Sequence, residues 1–109
     1  MKPKKLAVFG QTVKIRYVKD LVEKQEISGD YLDGIIRIDA DLDSKLMYLT
    51  LLHEAIHALF DRLGVGQVVN GGVEEIICDN IAMLIYENFE LEIKKPRPKA
   101  RPKPNSDSN

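Results

Sequence analysis

Both histidines of this 109-residue chain fall in one short run, His53-Glu54-Ala55-Ile56-His57, four apart with a glutamate directly after the first. On a helix that spacing sets the two imidazoles on one face, a single turn apart, where they can converge on one ion. Glu54 lies about 100° further round the helix, near enough to reach a water on such an ion without ligating it. The chemistry implied is metal-assisted hydrolysis with Glu54 as general base, taking a proton from water and delivering it to the leaving group. The plain alternative is a histidine on a core helix that does no more than complete a hydrogen bond.

A catalytic zinc takes three protein ligands and keeps one position open, so a third ligand must come from elsewhere in the chain. The nearest candidates are Glu74, Glu75, Cys78 and Asp79, all in a second apolar segment. Glu75 and Asp79 are four apart and share a helical face with Ala82 and Tyr86. That arrangement suits a division of labour, with Glu75 on the metal and Asp79 accepting the free ring N–H of a ligand histidine. Glu74 points about 100° away and is expected to favour the positive end of the helix dipole. Both glutamates could also be simple N-terminal acids. Tyr31 and Tyr86 are candidate electrophiles, though a half-buried packing role is the commoner use of a tyrosine.

These residues need a scaffold to hold them. Val13, Ile15 and Tyr17 alternate with Thr12, Lys14 and Arg16, and Leu6 to Tyr17 reads as two short strands around a turn at Gly10-Gln11. Lys19 to Ser28 reads as a short helix or a loop. Gly29 to Leu32 and Ile35 to Asp39, joined by Asp33-Gly34, have the pattern of a hairpin. The expected class is α+β: a small antiparallel sheet of three or four strands, followed by two core helices that carry the metal site.

The first of those helices is capped by Asp41 or Asp43, shows apolar residues from Leu49 to Leu63 at helical spacing, and stops at Gly64. A glycine-rich loop follows. Val73 opens the second helix, which reaches about Leu91 and is apolar on most sides, so it is expected to be largely buried.

Charge divides the chain in two. Residues 1 to 93 hold ten basic and sixteen acidic side chains, whereas Lys94 to Pro104 holds six basic residues and no acid. The domain is therefore assigned to residues 1–93, and residues 94–109 form a basic, proline-rich tail too poor in apolar groups to order itself. The single cysteine, Cys78, rules out an internal disulfide. No apolar run is long enough to span a bilayer and the N-terminus lacks a secretion signal, so no membrane association and a cytoplasmic location are expected.

The runs Thr50 to Ala58 and Glu75-Ile76-Ile77-Cys78-Asp79-Asn80-Ile81-Ala82 together resemble the ImmA/IrrE-like metallopeptidases and their short phage-encoded relatives. The upstream strands, with Gly10, Gly29 and Ile36-Arg37-Ile38-Asp39, are similar to the same group, and the resemblance spans about residues 6 to 92. It implies one zinc ion per chain held by His53, His57 and Glu75, with Glu54 as general base and Asp79 supporting a ligand, as in gluzincin-like enzymes. Cys78 stands where a small residue is usual and is read as packing. No helix-turn-helix segment is present, so action on a regulator would require a separate, co-encoded chain.

The leading expectation is thus a zinc peptidase acting on a specific intracellular protein. A second is a non-catalytic zinc-binding interaction module on the same scaffold, against which the intact Glu54 speaks. A third is a nucleic-acid-associated accessory, resting on weak phosphate contact by residues 94–104.

Overall fold

A computed structural model describes residues 2–90, and the proline-rich tail lies outside the described residues. Within them the chain runs β1 (Lys5–Val8), β2 (Gln11–Val18), α1 (Leu21–Gln25), β3 (Gly29–Leu32), β4 (Ile35–Asp39), α2 (Ser44–Leu63) and α3 (Gly71–Asn88), with one 3-10 turn, Val65–Gln67, between the last two helices. The α+β class and the order of a sheet followed by two helices are as expected.

Two tight hairpins build the sheet. At each tip two successive residues take positive φ, Phe9 (51°) and Gly10 (77°) in the first, Asp33 (50°) and Gly34 (79°) in the second. Paired left-handed residues give a turn whose twist matches the strands it joins. The first turn is therefore Phe9-Gly10, one residue earlier than the sequence suggested.

The strand order is β1-β2-β4-β3. Both hairpins are antiparallel, but β2 and β4 pair in parallel, with Ile15 opposite Ile36 and Tyr17 opposite Ile38. The wholly antiparallel sheet expected from the sequence is thus corrected at its centre. The reason lies in burial: Ile36 and Ile38 of β4 and Val13 of β2 are completely buried, and joining the hairpins through these strands seals their apolar sides together. The α1 connection carries the chain past that junction and leaves β3 at the sheet's edge.

Asp39 locks this crossover. Its buried carboxylate accepts the N–H of Val22, at the start of α1, and that of Asp41, both at 2.8 Å. These donors hold the carboxyl below the ordinary carboxylate range.

The core lies between the sheet and α2, where Val8, Val13, Ile15, Ile36 and Ile38 meet Ala58. Helix α2 starts at Asp43, whose side chain accepts the N–H of Leu46, and ends at Gly64 in the left-handed region. Helix α3 packs against α2 but is not largely buried, contrary to expectation. Only Cys78 and Ala82 are sequestered, while Ile76, Met83 and Leu84 are 62%, 41% and 58% exposed. With α2 already covering the sheet, α3 has a single helix to pack on and can bury only one stripe. No helix among the described residues is long and apolar enough to cross a membrane.

Candidate metal centre

Helix α3 packs on α2, and its two buried residues, Cys78 and Ala82, are small. At one end of the seam Tyr48 and Tyr86 pack edge to face, their ring centroids 5.7 Å apart. Further along α2 lie His53, Glu54 and His57, opposite the first turns of α3. Asn70 fixes where α3 begins by accepting the N–H of Val73 at 2.9 Å, which points Glu74, Glu75 and Asp79 toward the histidines.

Each imidazole is held from behind by a carboxylate. Nδ1 of His53 is 2.7 Å from Asp79 Oδ1, and Nδ1 of His57 is 2.5 Å from Glu74 Oε2. An ionised carboxylate can only accept, so each Nδ1 carries the proton. In a neutral ring the other nitrogen then bears a lone pair. These two Nε2 atoms face each other at 3.1 Å, and Glu75 Oε1 lies 3.2 Å from that of His53 and in closer contact with that of His57.

Three acceptors therefore converge with no donor between them, an arrangement that demands positive charge. Two nitrogens bound tetrahedrally at ~2.05 Å from one zinc would sit about 3.3 Å apart, which the observed spacing approaches. The three ligand atoms lie within 4.8 Å of one another. The donor set thus fits a small divalent ion. Two imidazoles and a carboxylate suit zinc among such ions, although they do not single it out.

The electrostatics carry the same signature. Burial opposes charge on His57, yet the flanking carboxylates of Glu74 and Glu75 prevail and raise its pKa. For Glu75, burial works to raise the pKa, but the two histidines hold it below the usual range. Where no ion is bound, a proton on His57 fills the same electrostatic role.

Glu54 differs from every other acid in the centre. It is buried, 7% exposed, and has no hydrogen-bond partner among the described residues. Burial pushes its carboxyl above the ordinary value, against the pull of His53 and His57. No fully buried side-chain oxygen or nitrogen among the described residues lacks a partner, so the Glu54 carboxylate keeps access to the cleft that it lines.

The structure brings His53, Glu54, His57, Glu75 and Asp79 together at one end of the helix pair. What sequence reasoning missed is Glu74, assigned there to the helix dipole and found here against His57. A signal existed: Glu74, Cys78 and Ala82 are spaced by four, and the two small apolar members mark the stripe that faces α2. His57, Glu74 and Cys78 form a second group of potential ligands. It is the weaker set, because Glu74 is already engaged with His57 Nδ1 and burial pushes the Cys78 thiol up to about 12. Neither candidate tyrosine is poised as an electrophile. Tyr31 donates its hydroxyl to Asp61 at 2.8 Å, and Tyr86 packs edge to face with Tyr48.

The centre opens into a cleft of about 950 Å³ bounded by α2, the start of α3 and the whole of β3. No family model, curated protein or solved structure matches the chain.

Proposed function

We propose that this protein is a zinc-dependent peptidase of the ImmA/IrrE-like kind, holding one zinc ion per chain through His53, His57 and Glu75. The observation that carries the reading is the pairing of a convergent acceptor trio with Glu54, which stands beside the two histidines on α2 and opens onto the same cleft. A zinc ion at the trio supplies, when bound, an electrophile for a peptide carbonyl and a water of near-neutral pKa.

The chain's own residues do the rest. Glu74 and Asp79 fix the tautomer and orientation of the two histidines. Glu54 accepts a proton from the attacking water and returns it to the departing amine, a role favoured by a carboxyl whose pKa has been moved toward neutrality. Strand β3 is an edge strand whose residues all line the cleft, so its free backbone groups suit an extended peptide. A specific protein, such as a co-encoded regulator, is the substrate this reading favours. A purely structural zinc site would have no use for Glu54.

The test is Glu54→Gln, which preserves size and removes the base. Zinc content should stay near one per chain, while hydrolysis of a protein substrate should fall by roughly 100-fold or more. His53→Ala or His57→Ala should lose the zinc itself. Loss of zinc in Glu54→Gln, or unchanged cleavage, would overturn the assignment.

A further inference from the structure

The cleft has two unlike ends with the metal centre between them. Along α2 its lining runs from Leu46 and Leu49 through His53 and His57 to Asp61. On the facing wall Thr50 donates to Ser28 at 3.2 Å and Tyr31 donates to Asp61 at 2.8 Å, so β3 runs in the same direction as α2. Leu49 and Asp61 each stand six residues from the midpoint of the two histidines, about 9 Å to either side along the helix axis.

The end before the histidines is apolar. Ile27 and Leu49 are half-buried there, and Leu46 is 47% exposed. The end beyond them is anionic. Tyr31 ties two acids into it, donating to Asp61 and accepting the N–H of Gly34, the neighbour of Asp33, while Gly64 and Gly66 leave the space open. The lining contains no lysine or arginine. Arg37 pairs with Asp30, and the histidines with Glu74, Glu75 and Asp79, which leaves Asp33 and Asp61 without a cationic partner among the described residues. Glu54, 7% exposed and with no hydrogen-bond partner among those residues, opens onto the same space.

The edge strand sets a direction. Leu32 and Ile35 flank the two-residue turn, so Leu32 and Asp30 spend their backbone groups on β4, and those of Gly29 and Tyr31 face the free edge. An added strand pairs more stably when antiparallel. Its N-terminal half then lies toward Asp33 and Asp61, and its C-terminal half toward Ile27, Leu46 and Leu49.

We propose that the cleft selects an extended peptide with lysine or arginine on the N-terminal side of the metal and leucine-sized apolar residues on the C-terminal side. At about 3.4 Å per residue, the 9 Å to each end places both within roughly three residues of the metal. The proposal rests on the peptidase reading for the bond that is cut, but the binding it describes needs no cleavage.

The test measures fluorescence anisotropy of labelled, end-capped peptides on full-length, zinc-loaded Glu54→Gln protein, which leaves the peptides intact. The probe is Gly-Arg-Arg-Ala-Ala-Leu-Leu-Gly. Replacing both arginines by glutamate should weaken binding by about tenfold or more, an effect that shrinks as salt is raised. Replacing both leucines by glycine should weaken it several-fold. The reversed sequence, equal in composition and charge, should bind several-fold more weakly than the probe. Asp33→Asn with Asp61→Asn keeps the turn and the Tyr31 acceptor, and should remove most of the preference for arginine over glutamate. Glu26→Gln removes a charge from the other end and should change that preference by less than about twofold. No binding of any peptide, equal binding of the probe and its reversal, or a preference indifferent to the Asp33 and Asp61 changes would each overturn the proposal. Wild-type protein separates the two readings. Selective binding without cleavage would sink the peptidase and leave the selectivity standing, whereas cleavage blind to these residues would do the reverse.

Discussion

Replacing Glu74 with Gln removes one negative charge from behind His57 while leaving an amide oxygen that can still accept the Nδ1 proton. Ring orientation should survive, and the electron density pushed toward Nε2 should not. Partners of this kind set metal affinity by about 10- to 100-fold. The structure ranks the two present here. Glu74 is 18% exposed and 2.5 Å from His57, whereas Asp79 is 72% exposed and 2.7 Å from His53. Solvent screens the second pair far more than the first. Glu74→Gln should therefore weaken zinc binding by roughly 100-fold, near the top of that range, and Asp79→Asn by roughly 10-fold, near the bottom. Asp61→Asn is the control, since it removes a charge from the same cleft without touching a histidine, and it should change affinity by less than about twofold. Competition against a chromophoric chelator at constant pH and ionic strength measures all three, with circular dichroism to show that each variant is folded. A loss in Asp79→Asn equal to that in Glu74→Gln, or a loss in Asp61→Asn equal to either, would show that direct contact behind the ring does not set the affinity.

Two further outcomes follow from packing. A Cβ on Gly29 would stand 2.5 Å from the carbonyl oxygen of Arg37 and 2.6 Å from Thr50 Cγ2, so Gly29→Ala should destabilise the fold by about 1–3 kcal/mol. Adding Thr50→Ser should restore part of the loss in thermal melts, and an unchanged melting temperature in Gly29→Ala would refute the contact. The Cys78 thiol, buried and pushed up to about 12, should react with a disulfide reagent at pH 8 roughly 1000-fold more slowly than a free thiol and be fully titrated once the protein is unfolded. Rapid native labelling would place Cys78 outside the helix seam.

Much of the local structure was legible because it is set by short-range rules. Asp33-Gly34 between alternating runs specifies a two-residue turn, and Asp43 and Gly64 bracket α2, each through groups within a few residues of one another. The four-residue spacing of His53 and His57, with Glu54 between them, likewise commits three side chains to one region of a helix before any tertiary contact forms. Their convergence with Glu75 and Asp79 was legible too, because a helix face repeats and two acids four apart must share it.

What the sequence by itself determined was therefore a set of elements and the chemistry that each carries on its face. Tertiary structure decided how those faces meet. The parallel pairing of β2 with β4 depends on which hairpin edges bury most apolar surface together, a comparison that no local pattern contains. The exposure of α3 depends on α2 having already covered the sheet, so an apolar helix was left with only one partner. Glu74 and His57 are seventeen residues apart on different helices, and their contact exists only because α3 packs its Cys78 and Ala82 stripe on α2. Spacing along one helix fixes an angle about its axis, but the distance between two helices is fixed by the volume of the side chains at their seam.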